Sequence, residues 1–251
     1  MLRVMTYNIK DGGVDDGTDR LPSIHAIVRE ARPDILAVQE ANELELRSHR
    51  RLFAFERATG LRGFLALSRS GHHGAVFIRP ELRPVSLRTD TGESYRALIE
   101  LGLETPGGLR MIVSAVHLDP ISPERRLAGA LECTNAPPAI ALGDFNNNRA
   151  DEPGFAEAWA RFPLRHRARS GSSQVDDRLF AALERAGYVD LHRRFHPGQP
   201  GPTIDVAGGL RLDYIFATED LAARATACEV IRTPETGRAS DHHPVVADFD
   251  L

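Results

Sequence analysis

A chain of 251 residues, 42% hydrophobic and 26% charged, has the length and composition of one globular domain with a full core. No run approaches the ~18 consecutive apolar residues of a membrane span. The formal net charge of −4 argues against tight nucleic-acid binding through overall charge, although arginine greatly outnumbers lysine and can cluster into a local groove. Two cysteines, Cys133 and Cys228, are too few for a disulfide framework and read as reduced and buried, which points to the cytoplasm.

The chain enters directly into a strand pattern, Leu2 to Asn8, so neither a signal peptide nor an anchor is expected. Asp11 to Asp19 is a Gly/Asp loop without apolar periodicity. Pro22 opens a helix carrying Ile24, Ile27, Val28 and Ala31 at helical spacing, closed by Pro33. Asp34 to Glu40 is the next strand, apolar through Val38 and ending in a carboxamide and a carboxylate; residues 43 to 58 read as a surface helix. Three short strands follow at Ala75–Ile78, Ala97–Leu101 and Met111–His117, with turns at 80–84 and 106–108, and together they read as an antiparallel meander. Residues 122 to 133 return to helix. Asp151–Trp159 and Asp177–Ala186 are further helices separated by a Ser/Gly-rich loop at 170–173, and strand-like runs at 211–217, 225–232 and 244–249 close the chain. This order predicts an α+β architecture: two packed, mainly antiparallel sheets with helices on their outer faces and polar strand ends converging at one rim.

The organising stretch is Gly143-Asp144-Phe145-Asn146, after the apolar run from Pro137 to Leu142. A short aliphatic run stopped by glycine reads as a buried strand delivering Asp144 and Asn146 to its exposed end. In an extended segment the two side chains share a face, presenting a carboxylate and a carboxamide to a hard cation or to a phosphate with its attacking water. Other strand ends carry Asn8, Glu40, His117, Asp213 and Asp241 with His242. Singly, each has an ordinary structural explanation: a cap, a solvated acid, a satisfied core histidine. Asp213 differs, because it lies between Leu212 and Tyr214-Ile215-Phe216, where an unpaired carboxylate is costly. His242 is its natural partner, since an Asp on one imidazole nitrogen fixes the tautomer and turns the other nitrogen to a substrate.

Taken in order, Thr6-Tyr7-Asn8-Ile9, Gln39-Glu40, His117-Leu118, Gly143-Asp144-Phe145-Asn146, Leu212-Asp213-Tyr214-Ile215 and Ser240-Asp241-His242-His243-Pro244 resemble the successive motifs of the endonuclease/exonuclease/phosphatase superfamily. The resemblance spans residues 4 to 249. It implies a four-layer α/β sandwich and hydrolysis of a phosphate ester with Mg²⁺ or Mn²⁺ held mainly by Glu40, supported by Asn8 and Asp241. It further implies that Asp144 aligns or deprotonates the attacking water, that Asn146 fixes that water or a phosphate oxygen, and that His242, oriented by Asp213, bonds the scissile phosphate. His117 donates to a phosphate oxygen or to the leaving group. His72, Tyr95 and Arg96 are candidate substrate contacts, with a solvated strand end the competing explanation for Arg96.

Within the family, two features separate this sequence from the abasic-site endonucleases. The segment Gly201-Pro202-Thr203-Ile204-Asp205 lacks the aromatic residues that enclose a flipped sugar there, and His117 occupies a position where those enzymes have no histidine. Against this, Gly71-His72-His73-Gly74 resembles the Gly-His-Tyr-Gly of a bacterial exonuclease of that branch. The expectation is a small or flexible phosphodiester as substrate, with a DNA or RNA nuclease and a catalytically silent binding module as alternatives, and no obligate protein partner.

Overall fold

Short aliphatic runs alternate along the chain with amphipathic stretches, and the computed structural model describes residues 1–15, 17–90, 97–162, 176–206 and 209–251. Its first half runs β1 (Leu2–Asn8), a tight turn at Asp11–Gly13, β2 (Val14–Asp15), β3 (Thr18–Asp19), α1 (Leu21–Ala31), β4 (Ile35–Gln39), α2 (Leu46–Thr59), β5 (Arg62–Ala66), β6 (Gly74–Ile78), β7 (Arg83–Asp90), β8 (Leu98–Glu104) and β9 (Arg110–His117). The second half runs α3 (Pro123–Glu132), β10 (Ala139–Asp144), α4 (Phe155–Arg161), α5 (Arg178–Arg185), β11 (Tyr188–Asp190), α6 (Leu191–Phe195), β12 (Asp213–Thr218), α7 (Glu219–Ala222), β13 (Ala225–Val230), α8 (Pro234–Ala239) and β14 (Val245–Phe249).

Two six-stranded sheets form, in the orders β13-β14-β1-β4-β6-β5 and β11-β12-β10-β9-β8-β7. Neighbours are antiparallel except β1 with β4 and β9 with β10. Each parallel pair is joined by a helix, α1 and α3 respectively, because a parallel connection must return the chain to the same end of the sheet. Three apolar layers fill the space between the four structural layers. Val4, Ile35, Ala37 and Val76 of the first sheet meet Val113, Ile140, Leu142 and Ile215 of the second. Outside the first sheet, Met5, Tyr7, Leu36 and Val38 pack on Ile24 and Val28 of α1 and on Leu52 and Phe55 of α2. Outside the second, Val116, Ala141, Tyr214 and Phe216 pack on Ala130 of α3 and on Phe180 and Leu183 of α5. The expected two-sheet α+β sandwich is therefore the observed architecture.

Some expectations need correction. The 75–78 strand does not join a meander with the strands near 97 and 111: β6 lies between β4 and β5 in the first sheet, while β7, β8 and β9 form the meander in the second. The residues after the turn at 80–84 continue as β7, an edge strand exposed along most of its length, so no buried stripe marks it in the sequence. The 43–58 helix begins at Leu46 and buries Leu52 and Phe55. The Ser/Gly-rich loop at 170–173 lies outside the described residues. Among those described, no helix is long and apolar enough to cross a membrane.

Candidate active site

Alternation along the strands carries the inter-sheet core directly into the site. In β10, Ile140 and Leu142 face the opposite sheet, and Asp144 is the next residue on that face. In β12, which begins at Asp213, Ile215 and Ala217 follow it on the same face, and in β9 Val113 and Ala115 precede His117. The register places His117, Asp144 and Asp213 in one row, because Asp144 pairs with His117 on β9 and with Asp213 on β12. From the first sheet, Asn8 follows Val4 and Thr6 on the facing side and pairs with Gln39, the residue before Glu40. Four polar strand ends thus meet where the apolar layer stops.

Gly143 makes the row possible. Its φ is +148°, and a Cβ there would lie 1.9 Å from the carbonyl oxygen of Val116 on β9, a contact no side chain tolerates. The strand ends at Asp144, and Asn146 takes a left-handed φ of 47°. The argument from an extended Asp144–Asn146 segment therefore fails locally. Asn146 reaches the same place by a turn: its backbone N–H donates to Asp144 Oδ1 at 2.8 Å and its side-chain amide to the carbonyl of Leu118 at 3.0 Å.

Asp144 and Asp213 are both almost fully buried, and two carboxylates directly across a ladder repel. His242 offsets that repulsion. Its Nδ1 donates to Asp213 Oδ2 at 2.8 Å, while its Nε2 stands 4.0 Å from Asp144 Oδ2. The predicted Asp213–His242 pair is thus in place, and Asp213 Oδ1 has no hydrogen-bond partner. The backbone N–H groups of Leu212 and Asp213 donate to Thr203 Oγ1 at 3.0 and 3.2 Å, fixing the start of β12. Asp144 also receives the Asn8 amide at 3.1 Å and lies 3.4 Å from Nε2 of buried His117. Burial and neighbouring Asp213 raise the Asp144 pKa well above the usual carboxylate range, with His242 opposing. Burial pulls His242 down, but Asp213, Asp144 and Asp241 outweigh it and its pKa is raised. Both shifts favour the protonated form of their group.

Helix α8 delivers His242. A capping box between Thr233 and Thr236 starts that helix, an arrangement typically worth about 1 kcal/mol. Ser240 Oγ then donates to the Asn8 carbonyl at 2.7 Å, tying the last motif to β1.

Glu40 has a φ of 55°, which ends β4 abruptly at the rim. Its Oε1 accepts from Asn8 Nδ2 at 3.3 Å, and its Oε2 accepts from the backbone N–H of Asp11 at 3.0 Å. Asn8 turns its amide nitrogen to both carboxylates, and its oxygen accepts from the Lys10 N–H at 3.0 Å. The residue therefore orients Glu40 and Asp144. Asp241 is exposed and, among the described residues, belongs to neither of the two donor clusters whose ligand atoms lie within 4.8 Å of one another, Asp11–Glu40–His72 and Asp144–Asp213–His242. In the second cluster Nδ1 of His242 is committed to Asp213, and Asp144 and Asp213 are almost fully buried, whereas in the first Asp11 is exposed and Glu40 and His72 are partly so, which leaves the first the more accessible to a divalent cation. Asp11 was not legible as a site residue in the sequence. Of the three candidate substrate contacts, His72 lies at the site, its Nδ1 3.8 Å from Glu40 Oε2, whereas Tyr95 and Arg96 lie outside the described residues.

Comparison with known proteins gives the family and the fold. Residues 5–242 match the Endonuclease/Exonuclease/phosphatase family. Among solved structures, the 3' phosphatase NExo from Neisseria, bound to a product DNA hairpin, superposes with a TM-score of 0.72 at 21% identity over 100% of both chains. An AP endonuclease from Archaeoglobus fulgidus gives 0.72 at 23% identity, also over 100% of both chains. Truncated TDP2 from Caenorhabditis elegans gives 0.64 at 18% identity over 100% of this chain and 97% of that one. A search of curated proteins finds no match. With the fold, the row of strand ends and a match over nearly its whole length in agreement, the chain belongs to the endonuclease/exonuclease/phosphatase family of phosphoesterases.

Proposed function

We propose that the protein, working as one domain over residues 1–251, is a divalent-metal-dependent phosphodiesterase acting on a small or flexible phosphodiester. The observation that carries this reading is the Asp213–His242 pair at 2.8 Å with Asp144 beside its free nitrogen. Asp144, its proton affinity raised by burial, receives the proton of the attacking water. Asn146 holds that water or a phosphate oxygen, and its backbone N–H keeps the Asp144 carboxylate in register. His242, kept protonated by its three acidic neighbours, donates through Nε2 to a phosphoryl oxygen as charge builds in the pentacoordinate transition state. His117 donates to the leaving group or to another phosphate oxygen. Glu40 is the principal ligand of Mg²⁺ or Mn²⁺, with Asn8 orienting it and Asp241 adding negative charge nearby; the ion, when bound, withdraws charge from the phosphoryl group.

The substrate preference rests on the segment before Asp213. Thr203 and Ile204 are buried and committed, Thr203 to the N–H groups of Leu212 and Asp213 and Ile204 to pairing with Leu210 and His242, so they form no aromatic wall around a sugar. A DNA nuclease is the second reading, favoured by the similarity to a 3' phosphatase solved with a DNA hairpin. Two buried, free cysteines favour a reducing compartment such as the cytoplasm.

Turnover of bis-p-nitrophenyl phosphate and of duplex DNA bearing an abasic analogue, each with Mg²⁺ and Mn²⁺ at low and moderate salt, tests the assignment. The expected outcome is chelator-sensitive cleavage of the small diester with little salt dependence. Efficient duplex incision falling steeply with salt, with negligible small-diester turnover, would transfer the assignment to a nuclease. Full activity after exhaustive chelation would end it.

A further inference from the structure

Adjacent histidines at 72 and 73 look interchangeable in the sequence but do different things in the fold. His73 Nδ1 accepts the backbone N–H of Ser68 at 3.0 Å, which leaves its proton on Nε2, 3.5 Å from Glu45. Its backbone is fixed from the other side: its N–H donates to Asn42 Oδ1 at 3.2 Å, and its carbonyl accepts the N–H of Ala41 at 2.8 Å. His73 therefore clamps the 68–73 loop to the residues just after Glu40. Within that loop, Ser70 Oγ accepts the N–H of His72 at 3.3 Å, and the His72 side chain projects to Glu40 with its Nδ1 3.8 Å from Oε2.

Asp11 is brought to the same carboxylate from the opposite side. The backbone N–H of Gly12 donates to the Glu40 carbonyl at 2.8 Å, and a Cβ on Gly12 would lie 2.1 Å from the Asn42 carbonyl oxygen. Only a glycine lets the turn approach this closely. The result is one ligand atom each from Asp11, Glu40 and His72, all within 4.8 Å of one another. Neighbouring and opposite ligands of an octahedron with bonds of ~2.1 Å are separated by roughly 3.0 and 4.2 Å. The 3.8 Å between His72 Nδ1 and Glu40 Oε2 falls between those values.

We propose that His72, through Nδ1, and Asp11 are ligands of the ion that Glu40 holds, and that the imidazole biases the site toward Mn²⁺ over Mg²⁺. The inference rests on the metal-dependent reading above and adds two ligands and a selectivity to it. Mg²⁺ is a hard ion that keeps its waters and gains little from nitrogen, whereas affinity for an imidazole rises along the first-row transition metals. A site of two carboxylates and one imidazole therefore discriminates more strongly than an all-oxygen site would.

Binding of Mn²⁺ and Mg²⁺ to the full chain, together with pulsed EPR on the Mn²⁺ complex of protein labelled with ¹⁵N-histidine, tests this without recourse to turnover. The wild-type complex should show one coupled histidine nitrogen, lost in His72→Ala. That variant should bind Mn²⁺ at least ~tenfold more weakly and Mg²⁺ less than ~threefold more weakly. His72→Asp should restore tight binding without the nitrogen signal and with the preference for Mn²⁺ over Mg²⁺ reduced, which a fold defect would not produce. Asp11→Asn should weaken both ions together. A Mn²⁺ complex with no nitrogen coupling, or one unchanged in His72→Ala, overturns the inference while leaving metal-dependent hydrolysis standing. No ion binding by the wild type, or binding unaffected by Glu40→Ala, overturns both.

Discussion

Two buried charged clusters stand two residues apart in the chain, around Arg211 and around Asp213, and they are built to opposite ends. Arg211 donates to both oxygens of Asp190, at 3.0 and 2.7 Å, and to Glu152 at 2.8 Å, with its guanidinium 4.4 Å from the centre of the Tyr214 ring. The other cluster is Asp144, Asp213 and His242. With the imidazole protonated, each consists of two carboxylates and one cation. The difference is what can titrate. Burial lowers the Arg211 pKa, but Asp190, Tyr214 and Glu152 outweigh it and raise it, so its charge is permanent and the cluster acts as a fixed brace. In the second, burial lifts Asp144 and the carboxylates lift His242, so both groups are titratable and neither charge is permanent. The same charge count makes a fixed brace in one place and a set of titratable groups in the other.

The largest test of that contrast removes the reactive cluster. Asp213→Ala and His242→Ala should each lower the turnover rate by several orders of magnitude, and the double variant should lose little more, because the two act as one unit. Additive losses, read from single-turnover kinetics, would dissolve the pair. In the bracing cluster the effect should move from rate to stability. Arg211→Met strands two buried carboxylates and should cost about 3–5 kcal/mol by denaturant unfolding, with turnover per folded molecule changed less than ~tenfold.

The smallest effect concerns His192, packed beside that brace. Burial, reinforced by Arg211, holds its imidazole down to about 4. Its folded pKa lies below the unfolded value of about 6.5, so its contribution is fully present above that pH and is lost as pH falls toward 4. The wild type should lose up to ~3 kcal/mol across this window from this group, and His192→Gln should flatten that part of the stability profile. Identical profiles would remove His192 from the account.

Legibility in the sequence followed locality. The buried strands of Leu2–Asn8, Ile35–Gln39 and Ala139–Asp144 announce themselves as short aliphatic runs, and their polar ends mark Asn8, Glu40 and Asp144. The Asp213–His242 contact was readable because burial of Asp213 demanded a partner. Sheet membership was not readable, since the pairing of β6 with β4 depends on contacts across the chain. Strand β11 has three residues, too few to show a period, and β7 has almost no buried face. Asp11 sits in a Gly/Asp loop with no pattern, and nothing local tells His72 from His73. Their places depend on Gly12 passing close to Asn42 and on Ser68 capturing one imidazole.

The row of His117, Asp144 and Asp213 across β9, β10 and β12 has a consequence for how such a centre can change. Because a methyl group at Gly143 would meet the backbone of β9, any side chain there prises β9 from β10 and carries His117 away from Asp144. The ladder through β9, β10 and β12 sets the spacing of the three side chains, like marks on one ruler. Variation that leaves the ruler intact is then channelled into segments outside that ladder, such as the 68–73 loop.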